Sequence, residues 1–246
     1  MRMRFRFQLG AWLLTIAALA ACEREGRQSQ VNAPGRDETT ETQALEAGAA
    51  LLQRKPPLRQ LDAYLNGFHF YSGDMQGQME AHHYCGHLNE DVIQCVIFDG
   101  EGDSAKLMGI EYIISGAQFA TLPTAEKRLW HSHVHEVHSG QLIAPGIPAA
   151  AEHELMEKIV STYGKTWHTW HTDKQHALPL GAPALMMGFT ADGQVKQALV
   201  DDRDRRYDVS SADKRKQRAD IPTPPIDPEA NAWQKGVIVQ LETKQR

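Results

Sequence analysis

The segment that most constrains the fold is the histidine-rich stretch of residues 130–140, WHSHVHEVHSG. It contains His131, His133, His135 and His138, which are four of the twelve histidines of the chain. Side chains alternate between the two faces of an extended strand, so His131, His133 and His135 are predicted to point the same way. A plain apolar core would not place three imidazoles on one face. The stretch therefore predicts metal ligands, proton-transfer groups or a polar interior lining.

Two further residues extend this candidate site. His83 lies on a predicted strand of residues 80–88, and Glu111 interrupts an otherwise apolar, β-rich run. Imidazole and carboxylate groups are common ligands of divalent transition metals. The sequence therefore predicts a possible divalent-metal site whose candidate ligands are His83, Glu111, His131 and His133.

Two interpretations without a metal remain open for the same residues. The imidazoles could hydrogen-bond to one another and to Glu111 or Glu136, which would make them a polar interior layer. Alternatively, His131 or His133 could act as a general base that one of these glutamates orients. Strand alternation points Ser132 to the opposite face, which disfavours a serine nucleophile. The spacing matches neither the HExxH zinc motif nor a paired CxxC site.

The two cysteines inside the globular region are predicted to face each other. Residues 80–88 and 92–99 look like paired strands, and a hairpin centred on Glu90 places Cys85 directly opposite Cys95. Such pairs have Cβ atoms about 4.5–5.5 Å apart, slightly beyond disulfide geometry. A disulfide between Cys85 and Cys95 and two free, half-buried thiols are both compatible with this placement.

The beginning of the chain predicts a membrane anchor. Arg2, Arg4 and Arg6 precede a short apolar run that ends in Leu19-Ala20-Ala21-Cys22. This pattern resembles the lipobox of bacterial lipoproteins, which implies cleavage before Cys22 and acylation of that cysteine. Glu23 follows the cysteine, and the absence of Asp there favours the outer membrane. We therefore expect a lipid-anchored, periplasm-facing outer-membrane protein; the alternative is an uncleaved segment or a cytosolic start.

Charge excludes some partners. The formal net charge of the whole chain is −5, and removal of the three N-terminal arginines would make it more negative. A negative chain of this kind is not suited to bind nucleic acid or to dock electrostatically on anionic lipid. The expected partners are instead the membrane, through lipidated Cys22, and lipids.

The remaining pattern predicts a polar tether over residues 22–57 and one α+β domain over residues 58–246. In that domain an antiparallel sheet carries the 80–99 hairpin and the 106–115 strand, with packed helices. Gly164 is expected to end a helix over residues 149–163. Further predictions are a charged, solvated helical region at 201–218 and a last strand at 232–243.

Several motifs together resemble one known family. They are EAHHYCGHLNEDVIQC at 80–95, LPTAEKRLWHSHVHEVHSG at 122–140, YGKTWHTWHTD at 163–173, LPLGAPALMMGF at 178–189 and RDRRY at 203–207. Their order is similar to that of the oil body-associated protein family, a domain of unknown function found in plants, fungi and bacteria. The resemblance covers residues 58–235.

This resemblance implies a protein that binds or organises lipid, and it implies no particular reaction. The alternative is a metal-dependent or histidine-based enzyme built around the histidine and glutamate cluster. Plant members work in the cytosol, where thiols are reduced, so the resemblance weakens the case for a disulfide between Cys85 and Cys95.

Overall fold

A computed structural model describes residues 26–242 of the chain. The predicted signal segment and Cys22 therefore lie outside the described residues. Within them, seven strands are present: β1 (Ala63–Tyr71), β2 (Asp74–Asn89), β3 (Val92–Phe98), β4 (Leu107–Ser115), β5 (His131–Ser132), β6 (Thr162–His168) and β7 (Ala184–Met187).

Six of these strands close into an antiparallel barrel. Neighbours pair in the order β4-β3-β2-β1-β7-β6, and β4 also pairs with β6, so the sheet has no free edge there. The short β5 pairs with the part of β6 that β7 leaves uncovered. The predicted α+β domain with an antiparallel sheet agrees in outline, and the closed barrel is the more specific architecture.

Seven α-helices surround the barrel in the described chain: α1 (Thr40–Leu52), α2 (Gly116–Ala120), α3 (Thr124–Lys127), α4 (Val134–Ser139), α5 (Ala149–Ile159), α6 (Gln197–Tyr207) and α7 (Ser211–Gln217). Short 3-10 helices cover Pro56–Gln60, Thr172–Lys174 and Ala232–Lys235. None of the helices in residues 26–242 combines the length and apolar character that a membrane crossing requires.

Two apolar layers fill the ends of the barrel. At one end, Leu65 and the two cysteines pack against Val137 of α4 and Met156 of α5. At the other end, a second cluster is formed by Tyr71, Met79, Ala81, Ile97, Met108 and Met186. Interior side chains alternate along each strand of a small barrel, so the residues between these clusters also point inward. Those intervening positions hold the polar residues described below.

The predicted hairpin is confirmed by the pairing of β2 with β3. Cys85 lies directly opposite Cys95 in this pair, on the inner face of the barrel. The structure joins the two sulfur atoms, 2.00 Å apart, in a disulfide. Both residues are buried, so the pair sits within the apolar layer that α4 covers.

Two element boundaries differ from the predictions. The helix expected over residues 149–163 ends at Ile159. Gly164 does not end this helix but lies inside β6, where it is close to the side chains of Glu111 and His133. The histidine stretch is extended only at His131–Ser132 and turns into α4 after His133. The apolar segment containing Pro183 supplies a barrel strand, β7, immediately after that proline.

The expected C-terminal strand is absent from the described residues. Ala232–Lys235 forms a 3-10 helix, and Gly236 turns the chain with a φ of 79°. Beyond it, the side chain of Gln240 bonds to the backbone of Leu185 at the edge of β7. These bonds are made by the side-chain amide of Gln240 and not by its backbone, so residues 236–242 do not pair with β7 as a strand.

Part of the predicted tether is held against the barrel. Arg27 pairs with the buried carboxylate of Glu80, and Ser29 Oγ donates to Asp99 Oδ2 over 2.6 Å. Val31 is buried as well. The helix α1 has no buried residue. Within residues 26–57, the chain is therefore docked around Arg27, Ser29 and Val31 and exposed along α1.

The charged region at 201–218 is not uniformly solvated, which corrects the prediction. Arg203 on α6 is 0% exposed and Arg218, directly after α7, is 2% exposed. Arg218 Nη1 donates to the carbonyls of Val137 and Leu142 over 2.9 and 2.8 Å. The guanidinium of Arg203 donates to Asn66, Gly140, Gln141, Asp204 and Ser211. These two side chains connect the helices to the barrel and to the chain around α4.

Substitution of Arg203 by Met should destabilise the protein by about 3–5 kcal/mol, because it leaves buried acceptors without their donor. Arg205, also on α6, has a side chain that is 71% exposed and serves as the matched control. Arg205→Met should change stability by no more than about 0.5 kcal/mol. Urea unfolding of both variants measures the difference. Similar losses in both would contradict the role assigned to Arg203.

Candidate functional site

The carboxylate of Glu111 lies at the centre of a polar layer inside the barrel. Its Oε2 is 2.9 Å from His83 Nε2 and 3.8 Å from His69 Nε2. Its Oε1 is 3.3 Å from His133 Nε2 and 3.4 Å from His131 Nε2. Each carboxylate oxygen therefore faces its own pair of imidazoles, and all five side chains are at most 5% exposed.

Strand register explains why these side chains converge. Glu111 lies between Cys95 on β3 and Thr166 on β6, so it points into the barrel with both of them. His131 on β5 pairs with Gly164 of β6 and reaches the same level. Closure of the barrel through the β4–β6 pair brings these residues together from distant parts of the sequence.

Gly164 makes the close approach possible. A Cβ atom at this position would lie 2.0 Å from Glu111 Oε1 and under 3.0 Å from His131 Nε2 and His133 Nε2. Such distances are shorter than any tolerable contact, so a larger residue would displace the carboxylate or the imidazoles. The glycine leaves room beside three potential ligand atoms.

The four residues predicted as metal ligands meet in one place. His83, Glu111, His131 and His133 all belong to this polar layer, and the structure adds His69 and His168 to it. His69 Nδ1 lies 3.4 Å from His168 Nε2. His69 was missed because it sits in an aromatic run, although its inward position follows from strand alternation along β1.

Other histidines lie elsewhere. His135 belongs to α4 and lies near Asp192, so the prediction that it shares a face with His131 is wrong. The extended segment ends too early to carry it. His82 points to the outer side of β2, where its Nδ1 is 2.7 Å from Tyr64 Oη and its Nε2 is 3.5 Å from Glu80 Oε1. His87 is exposed.

Burial and charge fix the ionisation of the central groups. Burial alone would raise the pKa of the Glu111 carboxyl, but the imidazoles of His131, His133 and His83 hold it well below its ordinary range. Burial lowers the pKa of His69 and of His133, despite the opposing effect of the Glu111 charge. Burial also lowers the pKa of His168, to about 3. The carboxyl group of Glu111 is therefore ionised, and the lowered pKa values of His69, His133 and His168 favour the neutral forms of these three imidazoles.

The proton position on His133 is set by Thr162. The Thr162 hydroxyl donates to the carbonyl of Ile159 over 2.7 Å, so its oxygen remains an acceptor. His133 Nδ1 lies 2.8 Å from that oxygen and donates to it. The other ring nitrogen, Nε2, then faces Glu111 Oε1.

A second carboxyl group borders the layer. Glu136 on α4 is buried, and burial together with the negative charge of Glu111 raises its pKa well above the ordinary value. Its Oε2 has no hydrogen-bond partner among the described residues. The pKa of Glu136 is thus shifted in the opposite direction to that of Glu111.

Ser132 takes no part in the histidine cluster. Its Oγ accepts a hydrogen bond from the backbone N–H of Val134, 3.2 Å away. The N–H of Ser132 itself donates to Asn231 Oδ1. These bonds stabilise the turn between β5 and α4, and they do not form the serine–histidine pair that a serine-dependent hydrolase needs.

Substitution of Gly164 by Ala should cost about 1–3 kcal/mol of stability, because the added methyl overlaps Glu111 Oε1. Gly67 on β1 is the matched control. A Cβ there would meet the flexible end of Leu142 at 3.3 Å, so Gly67→Ala should cost clearly less. Thermal and urea unfolding of both variants measure this. Equal losses would mean that Glu111 moves aside at little cost.

Comparisons with known proteins identify a family and several relatives of this chain. Residues 55–222, which include all seven strands, match a family described as a protein of unknown function (DUF1264). The chain is 47% identical over 213 residues to oil body-associated protein 1A of Zea mays, covering 86% of this chain and 90% of that protein. It is 42% identical to oil body-associated protein 1B of Arabidopsis thaliana, covering 85% and 87%. No solved structure matches the chain.

These similarities confirm the family that the sequence motifs indicated, and the lipoprotein anchor stays a prediction. The matched region contains the complete barrel and all the residues of the polar layer. The chain is therefore a member of the DUF1264 family and a relative of the oil body-associated proteins.

Proposed function

We propose that this chain is a lipoprotein, anchored in the outer membrane through acylated Cys22, that binds or organises lipid at the membrane surface. The observation that carries this proposal is its similarity, over most of its length, to proteins named for their association with oil bodies. That similarity favours a lipid-related role over the enzyme alternative.

The sequence of the first residues supports the mode of attachment. Leu19-Ala20-Ala21-Cys22 follows a basic head and a short apolar run, as in lipoprotein precursors. A single acyl chain binds membranes weakly, whereas several chains on one cysteine provide stable attachment. Glu23 at the next position supports transfer to the outer membrane.

An exposed apolar strand supports direct contact with lipid. Gly26 lies against Glu101, in the loop that leads into β4. Cys22 precedes Gly26 by only four residues, so an anchored chain would hold this loop within about 14 Å of its acyl groups. The outer face of β4 exposes Leu107, Ile110 and Tyr112 by 49%, 38% and 42%. Apolar and aromatic side chains of this kind suit a membrane interface.

Replacement of Cys22 by Ser should abolish lipid attachment and leave an unprocessed precursor. Replacement of Glu23 by Asp should preserve acylation and shift the protein from the outer to the inner membrane. Both variants would be expressed in a Gram-negative host, and the membranes would be separated by density. Mass spectrometry of the N-terminal peptide reports the acyl chains.

The Glu23→Asp variant is the control for damage caused by mutation near the processing site. Normal processing and acylation of Cys22→Ser would overturn the lipoprotein proposal. An unchanged distribution of Glu23→Asp between the membranes would overturn the assignment to the outer membrane. Lipid binding is tested separately with phospholipid vesicles, using Tyr112→Ser together with Ile110→Ser. An unchanged affinity would contradict a role for β4.

A further inference from the structure

A nitrogen of His133 and an oxygen of Glu111 face each other inside the barrel. His133 Nδ1 lies 2.8 Å from Thr162 Oγ1, and His133 Nε2 lies 3.3 Å from Glu111 Oε1. The Thr162 hydroxyl donates to the carbonyl of Ile159, so Nδ1 is the donor in the first contact and Nε2 is the ring nitrogen left to bind a cation. A cation between Nε2 and Oε1 would be bound by both atoms.

The neighbouring side chains also lack partners. Both ring nitrogens of His131 are buried and form no hydrogen bond with any described residue, and the same holds for Thr166 Oγ1. Buried polar atoms are almost always hydrogen-bonded, so these atoms call for an explanation. A cation bound at His131 Nε2 would give that nitrogen a partner.

The size of the space fits a metal ion. Glu111, His131 and His133 each offer one ligand atom, and these three atoms lie within 4.8 Å of one another. Metal–ligand bonds of about 2.0–2.2 Å place ligand atoms up to roughly 4.4 Å apart, which is close to this arrangement. Gly164 borders the same three atoms and leaves the space open.

We propose that the barrel interior binds one divalent transition-metal ion through Glu111 Oε1, His131 Nε2 and His133 Nε2. Two imidazoles with one carboxylate form a ligand set that zinc, iron and manganese accept, with coordination positions left for other ligands. Thr162 acts as a positioning residue, because its hydroxyl fixes the ring of His133. His69 and His83 contact the other carboxylate oxygen. This site is independent of the proposed lipid anchor.

The test is the metal content of the full-length chain, purified without affinity-tag histidines from cells supplied with zinc, iron and manganese. Elemental analysis should find about one ion per chain in the unaltered protein. His133→Ala and Glu111→Gln should lose this ion. His87→Ala should retain it, because His87 is exposed on the same strand as His83 and controls for surface binding.

Thr162→Val keeps the shape of the side chain and removes the acceptor for His133 Nδ1. Competition with a chromophoric zinc chelator should show binding about 10- to 100-fold weaker than in the unaltered protein. This variant keeps the proposal testable even where His133→Ala fails to fold. Metal-free protein from all three supplements would overturn the proposal. So would a full complement of metal in folded His133→Ala, or unchanged affinity in Thr162→Val.

Discussion

The interaction on which the rest of the structure depends is the contact of one buried carboxylate with the imidazoles around it. Removing an ionised carboxylate from water costs several kcal/mol unless other groups compensate. Glu111 is 2% exposed, and each of its two carboxylate oxygens has two imidazole nitrogens within 4 Å. The barrel therefore has to hold its strands in a register that keeps these imidazoles in place.

The apolar layers on either side make this contact stronger. The disulfide and Val137 close one end of the interior, and the cluster around Met79 and Met186 closes the other. Electrostatic interactions gain strength where water is excluded, so an unpaired charge here would be more costly than at the surface.

Most residues of the candidate site can be predicted from the sequence, whereas the closure of the barrel cannot. Alternation on strands was enough to select His83 and His131, and the polar residue in an apolar run was enough to select Glu111. Closure depends on the pairing of β4 with β6, about fifty residues later in the chain, which no local pattern specifies. Likewise, Arg203 and Arg205 occur in the same charged run, and only the packing of α6 decides which one is buried.

The docked N-terminal segment implies that the proposed lipid contact and the proposed metal site lie in different parts of the molecule. Arg27 and Ser29 bond to Glu80 and Asp99, so a chain anchored at Cys22 would present the loop that contains Glu101 toward the membrane. The polar layer lies inside the barrel, where the side chains of Glu111 and His131 are at most 3% exposed. A lipid held outside β4 could therefore not touch an ion in the interior. Any effect of lipid binding on the metal site would have to pass through β4, because Glu111 and the exposed Ile110 are neighbours on that strand.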